Sequence, residues 1–311
     1  MAMIHFSFHR PSSSDHDLHQ VLNSAFGIHE YASNFPQIFS VNSSAIIAVA
    51  RETTGRVVGL CAVDTEFWLE PSFLRGACIG SVAVDPLEQG RGIGRSLLEW
   101  VIEQLHVLCR HDFVYLFSER AQFYEALGFE CAGTERLFAL QPDLGAHPVN
   151  GDFLYYHPRE VGTLDEAQLA RLWRALECGR RSGESFSAWK KFHAVSGLAQ
   201  LWVTWLEDAQ HKIVAGAFVG KGADFKGVVH NFFASNHEFL IHFVIFFAVF
   251  NQELSRVVLF APGQWTDVLR PILQNVQSQP LCMVRGLSCS TSEMRRLFEQ
   301  GLIYPRSLFS S

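Results

Sequence analysis

Val82-Ala83-Val84-Asp85-Pro86-Leu87-Glu88-Gln89-Gly90-Arg91-Gly92-Ile93-Gly94-Arg95-Ser96 is the stretch whose reading decides the fold. A β-branched run stops at Asp85-Pro86, a glycine-rich turn follows, and an apolar-periodic helix starts at once. Leu97, Leu98, Val101, Ile102 and Leu105 recur at helical spacing and form one core-facing stripe. A strand-to-helix turn of this kind aims several backbone N–H groups at one point before a helix N-terminus, which suits an anion. Glycines at 90, 92 and 94 let the main chain approach a phosphate without an intervening Cβ. The turn lacks the Lys-Ser/Thr pair of a nucleoside-triphosphate loop.

Upstream of this turn, residues 4–10 alternate as a half-buried strand does, and 11–15 supply caps for a helix reaching about residue 25. A short helix is expected near 31–39. Strands at 45–51 and 57–66 flank a hairpin turn at Thr53-Thr54-Gly55, and 77–84 is the strand that enters the glycine turn. A loop holding Phe67, Trp68, Pro71, Phe73 and Leu74 separates these last two strands. Downstream, 113–117 is apolar throughout, as a buried strand is. Ser118-Glu119-Arg120 opens a helix that carries Phe123, Tyr124 and Leu127 and stops at Gly128, a C-terminal cap. Residues 129–140 read as one more strand.

Residues 141–151 hold two prolines, two glycines and an asparagine and read as a linker. The element order then recurs: a strand at 154–157, helices at 164–177 and 186–195, and a hairpin of 201–206 with 213–219. A strand at 227–233, a helix at 238–253, a strand at 257–261, a helix at 265–276 and a strand at 281–286 follow. The fold class is therefore α/β, of the α+β type. Two tandem domains are expected, 1–145 and 151–311, each a mixed, mostly antiparallel sheet flanked by helices.

Composition narrows the function. A chain of 311 residues suits about two domains. The formal net charge of -6 argues against nucleic acid as a partner. No basic stretch followed by an apolar one opens the chain. The longest apolar run, 239–250, is short of the roughly 20 residues that span a bilayer, so no membrane partner is expected. Seven cysteines without a CxxC pattern read as free thiols in a reducing compartment, hence a cytoplasmic protein. The fourteen histidines show no zinc-ligand spacing, so no metal is expected.

Two motifs about thirty residues apart carry a resemblance. Gln89-Gly90-Arg91-Gly92-Ile93-Gly94 fits [Arg/Gln]-x-x-Gly-x-[Gly/Ala], and Phe123-Tyr124-Glu125-Ala126-Leu127-Gly128-Phe129 fits Phe-Tyr-x-x-x-Gly-Phe. In this order, after a strand ending in Val-x-Val-Asp-Pro, they resemble the GNAT superfamily of N-acetyltransferases over residues 3–140. The resemblance implies acetyl-CoA as co-substrate. Its pyrophosphate would rest on the main-chain N–H groups of Gln89, Gly90, Arg91, Gly92, Ile93 and Gly94, with Arg91 and Arg95 offering charge. Val82 to Val84 would pair with the pantetheine arm, and one N–H there would polarise the acetyl carbonyl, a contribution on the order of 3 kcal/mol.

Tyr124 matches the tyrosine that protonates the departing thiolate, and Ser118 stands where many members carry a cofactor-contacting Asn. Phe123 and Leu127 share a helix face and Tyr124 lies about 100° away, which predicts an exposed Tyr124. The middle strand carries no Glu or His. Asp64, Glu66 and Glu70 are the candidate bases for the amine, and Glu66 is taken as the base.

The second half resembles the family in element order alone. Where the glycine turn would fall it reads His230-Asn231-Phe232-Phe233-Ala234-Ser235, without a glycine, and Tyr-x-x-x-Gly-Phe is absent. It is expected to bind no cofactor and to complete the substrate pocket, to stabilise the first domain or to form a homodimer. His230 reads as a satisfied core histidine or as a wall of the groove between the halves. The implied activity is acetyl transfer from acetyl-CoA to a primary amine of a small molecule or peptide within one ternary complex. A non-catalytic acyl-CoA-binding, sensing or interaction module is the alternative.

Overall fold

The computed structural model describes residues 3–12, 15–41, 43–68, 73–140, 152–178, 200–221, 224–250, 256–259, 264–270 and 273–300. The expected linker at 141–151, the helix at 186–195 and Glu70 lie outside them. The first half supplies β1 (Ile4–His9), β2 (Ile46–Glu52), β3 (Val57–Trp68), β4 (Leu74–Val84), β5 (Phe113–Leu116) and β6 (Glu130–Leu140). The second supplies β7 (Leu154–Glu160), β8 (Trp202–Glu207), β9 (Ile213–Lys221), β10 (Asp224–Ala234), β11 (Arg256–Leu259) and β12 (Leu273–Gly286). The pairs β4–β5 and β10–β11 are parallel, and the other described pairs are antiparallel.

The two halves form one twelve-stranded sheet, in the order β1-β2-β3-β4-β5-β12-β6-β11-β10-β9-β8-β7. Each half lays five strands side by side, β1 to β5 and β11 to β7. Each then sends its last strand across the centre. β12 lies between β5 and β6, and β6 lies between β12 and β11. Neither strand has a neighbour from its own half. Long antiparallel pairing of β6 with β12, from Leu140↔Leu273 to Glu130↔Val284, joins the halves.

Helices cover both faces. On one face of the first half, α4 (Ile93–Val107) packs Leu97, Leu98, Val101 and Leu105 onto Ala48, Cys61, Val63, Ile79 and Val114. On the other, α1 (His16–Phe26), α2 (Tyr31–Asn34) and α3 (Pro36–Phe39) cover Ile47, Val49, Leu60 and Ala83. In the second half, α6 (Glu166–Cys178) packs Leu172 and Leu176 on Val203, Trp205 and Phe218. The nearly all-apolar α7 (His237–Phe250) packs Leu240, Phe243 and Phe247 on the opposite face, against Leu206, Ala217 and Val219. The expected helix at 265–276 is two elements. The helix α8 (Gln264–Leu269) is short, and β12 begins at Leu273. Pro271 between them lacks the N–H and disfavours helix at the residue before it.

The duplication is visible in one backbone detail. In β4 the register steps from Leu60↔Ala83 to Ala62↔Gly80, so Ser81 and Val82 together oppose Cys61. In β10 it steps from His230↔Phe218 to Phe233↔Gly216. Both bulges carry a non-glycine residue at positive φ, Ser81 at 49° and Asn231 at 50°. The same kink thus sits at the same place in both halves, in sequences with no visible similarity there.

Candidate active site

The bulge sets the direction of the end of β4. Before it, Ala77 and Ile79 face α4. After it, Ala83 faces the α1 side, while Val82 and Val84 turn to the α4 side. Ser81 is held in its unfavourable left-handed conformation by burial and by the Tyr31 hydroxyl, 3.2 Å from its Oγ. On its other edge β4 pairs with β5 only at Gly76, Ala77 and Cys78. From 79 to 84 the strand runs on with no described partner strand on that side. A wedge opens there, its β4 edge facing no described strand, and the glycine turn closes its far end.

A set of side chains fixes the turn. Asp85 accepts from the Leu87 N–H at 3.0 Å, and a 3₁₀ turn follows over Pro86–Glu88. Gln89 donates through Nε2 to the Val84 carbonyl at 3.2 Å, fastening the turn to the strand end. Glu88, only 8 % exposed, accepts from both Arg56 and Arg91, and Arg56 also reaches Asp85 at 3.3 Å and Glu52 at 3.2 Å. Gly90 (φ 79°) and Gly92 (φ 78°) are left-handed, and a Cβ built on either meets nothing within 4 Å. Both glycines therefore border open space just before the α4 N-terminus. Ile93 points its side chain into the core, so only its main chain faces the turn. Arg91 lies against Glu88, and Arg95 pairs with Glu99 at 2.9 Å on the surface.

Gly94 brings the parts together. A Cβ there would stand 3.2 Å from Val84 Cγ2 and 3.9 Å from Phe123 Cζ. The end of β4, the first turn of α4 and the helix α5 (Ala121–Glu125) therefore converge. The sequence expectation for α5 is corrected: Tyr124 is 8 % exposed, whereas Phe123 is 38 % exposed. The helix ends at Glu125, so Leu127 falls in a tightened turn and shares the buried side with Tyr124 and Phe129. Burial raises the Tyr124 phenol above its ordinary value. Cys61, itself pushed up to about 12 by burial, adds to this, while a hydrogen bond from Ser118 and the nearby Arg120 oppose it. Ser118 also accepts the Arg120 N–H at 3.0 Å, so it serves both the helix entry and the phenol. Tyr124 thus keeps its proton at neutral pH.

Glu66 is not part of this convergence. It pairs in register with Gly76 and faces the other side of the sheet, where the Tyr115 phenol hydrogen-bonds to it. The buried Asp64 lies on the same side, two residues along β3. Tyr115 is raised well above its ordinary value, first by burial and then by Glu66. Sequence reasoning missed Tyr115, Ser81 and the Arg56–Glu88 pair. Tyr115 sits in a uniformly apolar strand, and a serine at positive φ leaves no mark in the sequence.

In the second half, residues 230–234 prove to be strand rather than the counterpart of the glycine turn. Helix α7 begins at His237, with two residues between it and the end of β10, and Asn236 caps it by accepting the Phe239 N–H at 2.9 Å. His230 is fully buried and bonds through Nε2 to the Gly220 carbonyl at 2.8 Å. Burial, with Lys221 nearby, lowers it to about 3. It is a satisfied core histidine. Among the described residues no group of three or more His, Cys, Asp or Glu is placed to hold a metal ion. Among them, too, no helix is long and apolar enough to cross a membrane.

The family model described as Acetyltransferase (GNAT) domain matches residues 43–131, which span the wedge, the glycine turn and α5. The resemblance read from the two motifs holds for that stretch. No curated protein matches the chain. Among solved structures, a probable N-acyltransferase from Enterococcus faecalis V583 superposes with a TM-score of 0.69 at 12 % identity, over 94 % of this chain and 74 % of that one. A GCN5-related N-acetyltransferase from Anabaena variabilis gives 0.65 at 14 % identity, over 91 % and 73 %. A tandem GNAT protein from the clavulanic acid biosynthesis pathway gives 0.56 at 11 % identity, over 93 % of this chain and all of that one. At such identities the likeness is one of fold, and the fold is that of tandem GNAT proteins.

Proposed function

We propose that this chain, whose residues 43–131 match a GNAT domain, transfers acetyl from acetyl-CoA to a primary amine at one site in its first half. The observation that carries the reading is the run of β4 from 79 to 84, unpaired on the β5 side, which leads into a turn where Gly90 and Gly92 face open space. Acetyl-CoA would bring the activated acyl group. The N–H groups of 89–94 would hold its diphosphate at the positive end of α4. The main chain of Val82 and Val84 would align the pantetheine arm as a strand would, and an N–H there would stabilise charge developing on the acyl oxygen. Arg91 and Arg95 would exchange their carboxylate partners for the diphosphate. The exposed Arg95–Glu99 pair is worth little and exchanges readily.

Tyr124, protonated at neutral pH, would give its proton to the departing sulfur as the C–S bond breaks, with Ser118 holding the phenol. The amine would approach through the wedge from the opposite face, where Glu66, with Tyr115, would accept its proton as the N–C bond forms. Donor and acceptor sides are then separated by the sheet, and both substrates are present together. The second half, with a two-residue link in place of the glycine turn, would bind no acetyl-CoA.

Calorimetry with acetyl-CoA on the parent protein and on Gly92→Trp tests the cofactor reading. Binding by the parent and none by the variant is expected. Equal binding, or none by the parent, sinks it. A panel of amines then separates catalysis from the alternative acyl-CoA-sensing role, which predicts binding without turnover. Tyr124→Phe is expected to lower kcat by roughly 100-fold with little change in affinity. An unchanged kcat removes Tyr124 from the chemistry.

A further inference from the structure

We propose that Arg285, carried by β12 from the far half of the chain, is a positioning residue for Tyr124, so that the first half's site is completed by the second. The proposal rests on the reading of Tyr124 given above and extends it. In the exchanged sheet β12 lies beside β5, with Arg285 in register with Val114 on the side covered by α4 and α5. Its Nη1 donates to the Leu127 carbonyl at the C-terminal end of α5, across 158 residues of sequence. Its stem lies against the turn: a Cβ on the left-handed Gly128 would be in ordinary van der Waals contact with Arg285, 3.7 Å from both Cδ and Nε.

A helix of five residues has little stability of its own. Its entry is held by Ser118, which accepts the Arg120 N–H. At its exit the Tyr124 carbonyl accepts from Leu127 N at 2.9 Å and from Phe129 N at 3.2 Å. The carbonyl that Arg285 holds therefore belongs to the residue whose N–H grips the Tyr124 backbone. A cation at that end also meets the negative pole of the helix. Without the guanidinium the turn at 125–128 keeps its own hydrogen bonds and core packing but loses this tie to β12, and the hold on the phenol loosens.

The test uses the full-length protein with Arg285→Met, which keeps the stem and removes the donor, and Arg285→Lys, which restores a cation. Arg285→Gln serves if the Met variant shows no melting transition. Two readouts are taken. The first is independent of activity: the Tyr124 phenol is titrated by ultraviolet difference against the matching Tyr124→Phe protein. Loosening of α5 in Arg285→Met lessens burial and moves the ionisation to lower pH, and Arg285→Lys moves it less. An unmoved titration overturns the proposal whatever the activity.

The second readout is kinetic. Arg285→Met is expected to lower kcat roughly tenfold while the calorimetric affinity for acetyl-CoA stays within about twofold. In the Tyr124→Phe background the same substitution is expected to cost less than about twofold, because the group it positions is gone. A loss of equal size in both backgrounds, or a loss in affinity alone, overturns the positioning role. If Tyr124→Phe itself keeps the parent kcat, the assignment of Tyr124 as acid fails, and the titration still decides what Arg285 does.

Discussion

Gly92→Ala separates the two duties of the glycine turn. The residue sits at φ 78°, ψ 3° as the N-cap of α4, and nothing lies within 4 Å of its absent Cβ. An alanine there pays left-handed strain of about 1–2 kcal/mol. For 311 residues the unfolding entropy is about 0.65 kcal/mol/K, so Tm falls by about 1.5–3 °C. The methyl group also projects into the space assigned to the diphosphate and separates it from at least one N–H. Each charge-assisted hydrogen bond lost costs about 1.5–3 kcal/mol, so the affinity for acetyl-CoA drops roughly 10- to 100-fold. Gly55→Ala is the control. Gly55 is also left-handed, at φ 88°, also faces open space, and lies in the β2–β3 turn rather than in the glycine turn. It is expected to lower Tm by the same amount and leave affinity unchanged. Calorimetry and a melting curve on both variants decide the matter. Equal affinity losses in the two, or no loss in Gly92→Ala, refute the reasoning.

Two further outcomes concern stability. Burial holds His230 at about 3 in the folded chain, against about 6.5 when unfolded, so the unfolded state alone takes up this proton as pH falls from about 6.5 toward 3. The contribution is intact above pH 6.5 and declines by about 1.4 kcal/mol per pH unit through that window, toward roughly 5 kcal/mol in all. Urea melts at pH 7.5 and 4.5 should show the decline, and His230→Gln should flatten part of it. Gly286→Ala is expected to destabilise by about 1–3 kcal/mol or more. Its Cβ would fall 2.1 Å from the Cys289 carbonyl and 2.7 Å from Thr291 N, both main chain, and a thermal melt equal to that of the parent would contradict the packing.

The elements flanking the glycine turn were legible because local signals coincide there. The heptad-like stripe of α4, the Thr54-Gly55 hairpin and the apolar run of β5 each speak for themselves over a few residues. The rest depends on partners distant in sequence. Nothing local tells β6 or β12 to pair across the centre rather than within its own half, since alternation is the same either way. The wheel that exposed Tyr124 assumed a full helix through Leu127, but α5 stops at Glu125. Glu66 was readable as a carboxylate on the strand that precedes β4. Its face is set by strand parity, and its partner Tyr115 lies two strands away. The counterpart of the glycine turn in the second half was misplaced because β10 runs on to Ala234, three residues past its bulge as β4 ends at Val84 three past Ser81, and no local signal marks that end.

The central exchange also has consequences for a chain being made. β6 is complete once residue 140 is out, yet both of its neighbours, β11 and β12, are made later. At synthesis rates of about 5–20 residues per second, residue 286 follows about 7–30 s behind. Until β11 is made β6 is a strand without a sheet, and throughout the interval β5 presents a bare edge beside the nascent wedge. Productive folding of the first half is therefore timed by the arrival of the last strand. A nascent chain stalled before residue 273 would expose two sticky edges, and it is in such shortened products that aggregation and chaperone capture are expected to concentrate.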